Sequence, residues 1–124
     1  MAGAEDKETW KWPDALDALV AAPEFHSLVF ENDDVRVLAT VIGPGQTVPV
    51  HTHRWPSVLH VLSAGHFVRR DGEGRVLGDT RETGAVPAPG AVVWIEAMPP
   101  HTVENVDSTE LRLLNVELKG RSAK

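Results

Sequence analysis

From His26 onward the chain is cut into short apolar stretches by clusters of turn formers: Asn32-Asp33-Asp34, Gly43-Pro44-Gly45, Asp71-Gly72-Glu73-Gly74, Pro87-Ala88-Pro89-Gly90 and Asp107-Ser108. Glycine, proline, asparagine and aspartate adopt or pre-set the turn conformations that connect strands, so this rhythm predicts an all-β fold. Val35, Val37, Ala39 and Val41 share one face of a strand, with Arg36, Leu38, Thr40 and Ile42 on the other. Further strands are expected near residues 58–62, 66–70, 91–95, 101–105 and 111–118. In the last of these, Leu111 and Leu113 share a face whereas Leu114, Val116 and Leu118 share the opposite one, which predicts a bulge near Leu113. Many short strands must hide their edges, and a closed barrel or double-sheet jelly roll does so.

Ahead of this region lies one short helix. Trp12, Leu16, Leu19 and Val20 recur at helical spacing, Pro13 suits a first helical turn, and Pro23 stops the pattern after Ala22. Residues 1–11 are charged and small and read as a loose tail, leaving residues 12–124 as a single domain. Trp10 and Trp12 would be costly to expose, which predicts a strap across a sheet or a homodimer contact.

Composition removes several function classes. A net charge of -6, from twelve Lys and Arg against eighteen Asp and Glu, offers no basic face to a phosphate backbone, so nucleic acid is not an expected partner. With no cysteine, a disulfide scaffold, a thiolate metal site and a thiol nucleophile are all excluded. No apolar run approaches the roughly 20 residues of a membrane span, and MAGAEDKETW has neither a basic leader nor a hydrophobic segment, so no membrane and a cytoplasmic location are expected.

The chemistry-bearing residues are histidines. In an extended strand residues i and i+2 point to the same side, so His51 and His53 can present both imidazoles to one point. His101 can supply a third. Neutral imidazoles converging on one point suit a borderline or transition-metal dication, with positions left for water, oxygen or substrate. Zinc, nickel, copper, iron and manganese all fit such a site, and the donor types do not choose among them.

The spacing around these histidines resembles that of the cupins. The first cupin motif runs from a glycine through five residues to His-x-His, then three or four residues, a glutamate, six residues and a glycine. Gly45, His51-Thr52-His53 and Gly65 match it, whereas counting back from Gly65 places Val58 where the acidic ligand would stand. The second motif is matched at Gly90, His101 and Asn105, with Glu96 and Met98 in place of its proline and glycine. The resemblance covers roughly residues 35–118 and implies a double-stranded β-helix, the cupin jelly-roll barrel, with one divalent metal on His51, His53 and His101. The stretch HTHRWPSVLHVLSAGHFVRRDGEG also resembles small bacterial cupins linked to β-alanine degradation.

Losing the glutamate would leave a bound dication with nearly its full charge and favour an anionic or chelating oxygen ligand. The arrangement then resembles the three-histidine cupins, several of which are oxygenases, which implies metal-dependent action on a small carboxylate or carbonyl compound. A three-histidine site can equally polarise a carbonyl or activate water for hydrolysis or isomerisation. The alternatives are a non-catalytic cupin that senses or stores a small ligand or metal, and a barrel without a working metal.

Around the site, His60 shares the parity of Val58 and is the one nearby candidate for a proton acceptor or a replacement ligand. Glu96 is a second candidate replacement, against the simpler reading of an exposed loop charge. One of Arg69 and Arg70 can face the cavity and hold an anion, unless both are solvated beside the Asp71-Gly72 turn. Trp55, in the loop after His53, can wall the mouth of the site, whereas Trp94 and Phe67 read as core or interface. His26 and His66 follow no ligand spacing and read as ordinary strand histidines.

Overall fold

The computed structural model describes residues 10–120. A 3-10 turn, Asp14–Leu16, and a single helical turn, α1 (Ala18–Ala21), precede nine strands. These are β1 (His26–Glu31), β2 (Val35–Ile42), β3 (His51–His53), β4 (Ser57–Ser63), β5 (Phe67–Asp71), β6 (Val76–Asp79), β7 (Val92–Ile95), β8 (Met98–Asn105) and β9 (Leu111–Leu118), with a second helical turn, α2 (Thr80–Thr83), after β6. They form two antiparallel sheets, ordered β1-β2-β9-β4-β7 and β3-β8-β5-β6. The all-β jelly-roll expectation therefore holds. Among the described residues no helix is long and apolar enough to cross a membrane.

The N-terminal helix is shorter than its spacing predicts because Asp17 leaves the helical conformation. Its φ of -55° and ψ of 144° are extended, and its carboxylate caps α1 by accepting from the Leu19 N–H at 3.1 Å. The same carboxylate accepts both terminal nitrogens of Arg36, at 2.9 and 3.0 Å. A bidentate ion pair of this kind outweighs one more helical turn. Asp17 also bridges in parallel to Thr52, so the N-terminal segment lies as a strap over β3. Trp10 and Trp12, ahead of that contact, are half-buried, while most of the expected tail, residues 1–9, lies outside the described residues.

The bulge expected near Leu113 is absent from β9, and a different one lies on the neighbouring strand. β9 pairs with β2 from Leu111 to Leu118 without interruption, whereas the β4–β9 register slips between Val61 and Ser63. Leu62 is the extra residue and is exposed. On β9 the inward residues are Leu111, Leu113, Asn115 and Glu117, in strict alternation. The apparent switch of face arises because the last two inward positions are polar.

That polarity is a gradient along the barrel. Arg36 stands opposite Glu117, Leu38 opposite Asn115, Thr40 opposite Leu113 and Ile42 opposite Leu111. The Ile42 end joins Leu111, Val48 and Ala22 in an apolar core. The Arg36 end is buried yet charged, and a buried charge is tolerable only when paired.

Two of the motif residues hold this scaffold. A Cβ on Gly65 would lie 2.6–2.8 Å from the Asp107 side chain, whose carboxylate accepts the His66 N–H, so only glycine allows that approach. The Asn105 amide, fully buried, donates to the carbonyls of Ile42 and Thr109 and its oxygen accepts from Asp107, pinning the β8–β9 connection.

The edges of the larger sheet are apolar and open. Leu28, Val29 and Phe30 of β1, and Val92, Val93 and Trp94 of β7, are each at least 42% exposed. Unpaired apolar edges of this kind are surfaces that proteins ordinarily cover.

Candidate metal centre

Each element delivers its histidine through ordinary pairing. β3 is three residues long and wholly buried, because His51 and His53 face the barrel while Thr52 faces the strap laid over it. β8 pairs His101 directly with His51. β1 begins at His26, opposite Thr40, so this histidine enters the interior at the point where the chain leaves α1. The rings of His51 and His101 are 4.3 Å apart, those of His51 and His53 5.1 Å, and those of His53 and His101 5.6 Å. His26 lies 4.8 Å from His51 and 5.4 Å from His53. The rings of His51, His53 and His101 therefore neighbour one another, together with a fourth imidazole that sequence spacing does not single out; the donor atoms that converge are those of His26, His51 and His53, and His101 is outside that group.

One nitrogen of every ring is already committed. Nδ1 of His26 bonds to the carbonyl of Ala22 at 3.1 Å, that of His51 to the carbonyl of Pro49 at 2.8 Å, and that of His101 to the carbonyl of Pro99 at 2.8 Å. Nδ1 of His53 bonds to Oε2 of Glu117 at 2.8 Å. A carbonyl or carboxylate oxygen can only accept, so the network assigns the proton to Nδ1 in each case and leaves Nε2 with its lone pair. Donor atoms of His26, His51 and His53 lie within 4.8 Å of one another.

Burial keeps three of these rings, His26, His51 and His101, neutral. Desolvation, followed by the neighbouring His101 and His53, pushes His51 down to about 2. Desolvation, opposed by hydrogen bonds to Ala22 and Pro99 respectively, takes His26 and His101 to about 4. Buried imidazoles with outward N–H groups pinned by carbonyls and a carboxylate, and with Nε2 left free, are what divalent transition metals take as ligands, so the residues fit such a metal.

The cluster lines a cavity of about 390 Å³. Its walls are largely apolar, with Ile42, Leu59, Val61, Phe67, Val93 and Leu113 among them, and Thr40, Asn115 and Arg69 as polar points. Arg69 thus faces inward while its neighbour Arg70 pairs with Glu104 at 2.9 Å. The other inward carboxylate, Asp79, is held by Arg81 at 2.9 Å. Arg69 has no hydrogen-bond or ion-pair partner among the described residues, and its charge is felt at His101.

Several expected roles change. His60 does not face the cavity: Leu59 and Val61 line it, and strand alternation turns His60 outward, opposite Val92 and Leu114. It therefore cannot serve as proton acceptor or replacement ligand. Val58 shares that outer face. The extra residue at the Leu62 bulge displaces the count back from Gly65 by one, so the inward position is Ser57, buried and paired in register with Glu117. Glu96 is an exposed loop charge that accepts the Trp94 indole N–H at 2.7 Å. Trp55 does not wall the cavity but stacks on the Arg36 guanidinium, 5.1 Å from its centre. His66 bonds Thr80 and stands apart from the cluster, as expected.

Sequence reasoning missed His26 and Glu117. His26 carried no motif. Glu117 did carry a signal, the polar break in the inward face of β9.

The architecture can now be compared with solved structures. A cupin domain from Bordetella pertussis superposes with a TM-score of 0.63 at 20% identity, covering 76% of this chain and 91% of that one. The fold is a cupin barrel. A double-stranded β-helix protein from Klebsiella pneumoniae aligns over 96% of this chain and 90% of its own, with 18% identity and a TM-score of 0.55. The polyketide cyclase RemF from Streptomyces resistomycificus aligns over 79% of this chain and 67% of its own, with 21% identity and a TM-score of 0.52. No family model and no curated protein matches the sequence. At these identities the cupin likeness is one of fold, and the chemistry of this chain rests on its own residues.

Proposed function

We propose that this cupin binds one divalent transition metal through His51, His53 and His101, joined by His26, and acts on a small carboxylate or carbonyl metabolite in oxygenase-type chemistry. The observation that carries the reading is the set of four imidazoles with Nδ1 committed outward, lining a 390 Å³ apolar cavity that also receives Arg69. A metal held there would supply Lewis acidity or oxygen activation. The chain's own residues do the rest: the apolar walls exclude water and Arg69 orients an anionic group. With His60 outside and Asp79 tied to Arg81, the cavity offers no uncommitted acid or base beyond the imidazole cluster. This favours a reaction that needs no dedicated protein base over hydrolysis or isomerisation. The setting we propose is catabolic, in line with the resemblance to β-alanine-degradation cupins. The competing reading is a sensing or storage cupin that binds the same ligand without turnover.

Arg69→Ala tests the ligand class. We expect the variant to keep its metal and to lose small-carboxylate binding by about tenfold or more, since a hydrogen bond to a charged partner contributes about 1.5–3 kcal/mol. Titration calorimetry on the metal-loaded protein reads this out, with oxygen consumption measured alongside. Unchanged carboxylate affinity would remove Arg69 from the site, and ligand binding without turnover would favour the sensor. For the open edges of β1 and β7 we propose a second copy of this chain as the cover; sedimentation at the 13.5 kDa monomer mass would rule that out.

A further inference from the structure

Behind His53 runs a buried chain of charges that the metal reading does not use. Glu117, with no exposed surface, accepts the His53 Nδ1–H at 2.8 Å on one oxygen and the Arg36 Nε–H at 2.6 Å on the other. Arg36 spends its two terminal nitrogens on Asp17 at 2.9 and 3.0 Å, and its outer face lies under Trp55. Both oxygens of Glu117 are directed at these partners, and the group of converging donor atoms, His26, His51 and His53, does not include it. Burying an acid here without a role would be costly, since an apolar pair would fill the Arg36–Glu117 positions more cheaply.

We infer that Glu117 is the acid of this metal site, acting through His53: it stands in for the glutamate ligand that cupin spacing leads one to expect on β4. The placement supports this directly. The inward β4 position is Ser57, and its partner across the β4–β9 ladder is Glu117, so the carboxylate has moved one strand sideways and one residue outward from the metal. The charge also balances. Asp17 and Glu117 contribute two negative charges and Arg36 one positive, leaving one net negative charge beside the imidazole cluster. A dication plus this network carries the same total charge as a dication with one direct carboxylate ligand. A carboxylate on the outer nitrogen of a ligating histidine fixes its tautomer and orientation and raises its donor strength. Glu117 is therefore a positioning residue, with Arg36 and Asp17 setting its orientation and charge.

The inference rests on the metal-site reading, and the experiment separates the two. Apo protein is titrated with cobalt(II) alone, with affinity read by chelator competition and ligand field by visible absorption. Glu117→Gln is expected to weaken cobalt binding by about 10- to 100-fold, the usual effect of losing an outer-shell partner, and to shift the absorption bands of the bound ion. A purely structural role would lower thermal stability while leaving affinity and bands of the folded protein unchanged. Because Glu117→Gln strips Arg36 of a buried partner, Asp17→Asn is the second variant: its side chain is 20% exposed. With Asp17 neutral, Arg36 cancels Glu117, and a smaller loss of affinity in the same direction is expected. Wild-type affinity and spectrum in the folded variants would overturn the role of Glu117, and the Asp17→Asn result decides alone if Glu117→Gln does not fold. A wild-type chain that takes up no cobalt would overturn the metal site itself.

Discussion

His51→Ala is expected to abolish stoichiometric metal binding while leaving the barrel folded. His51 is the hub of the cluster, with the rings of His26, His53 and His101 all within 5.1 Å of its own, so its removal takes one donor and opens the space between the others. The loss should exceed the about 10- to 100-fold that follows removal of a partner outside the ligand shell. Chelator competition against zinc or cobalt measures it, with far-ultraviolet circular dichroism confirming the fold. His26→Ala and His101→Ala then apportion the remaining positions: both should weaken binding, and a neutral result for either removes that residue from the ligand set. His60→Ala, on the outer face, should bind as the parent does. Parent-like affinity in His51→Ala would dispose of the centre altogether.

The second large effect is acid sensitivity of the metal-free protein. His26, His51 and His101 are held below their ordinary value of 6.5, at about 4, 2 and 4, first of all by burial. In the unfolded chain they protonate as the pH falls through 6.5, whereas in the folded chain they stay neutral, so the unfolded state binds more protons and stability rises with pH over this window. Stability is thus fully present above 6.5 and is lost on the way down, toward 4 for His26 and His101 and toward 2 for His51. At pH 5 each histidine withdraws about 2 kcal/mol, so the cluster takes a large part of the about 5–15 kcal/mol that holds a small domain together. Urea unfolding of chelator-treated protein at pH 7 and pH 5 tests this, and His51→Leu should remove one histidine's share of the difference. A stability that does not change between those two pH values would contradict the buried neutral cluster.

These expectations draw unequally on local pattern. Alternation in residues 35–42 and the turn clusters named the strands and the fold class, because a side-chain period of two is a property of a single strand. The His51/His53 pair was legible for the same reason. Parity failed on β4, where one bulge at Leu62 put Val58 and His60 on the outer face. A bulge is created by the partner strand, and nothing within residues 57–63 announces it. The N-terminal helix was overestimated for a related reason: Arg36, nineteen residues downstream, claims the carboxylate of Asp17.

The residues alone settle that the protein is an all-β barrel with two imidazoles on one strand face, since periodicity, turn chemistry and the lack of cysteine act locally and need no partner. Which other groups reach those imidazoles is a matter of tertiary contact. His26 joins from β1, twenty-five residues before His51, and Glu117 from β9, sixty-four residues after His53. Strand pairing brings both into the interior, and burial makes them count: in water a carboxylate and an imidazole that far apart in sequence ignore each other, whereas inside the barrel each must find its partner.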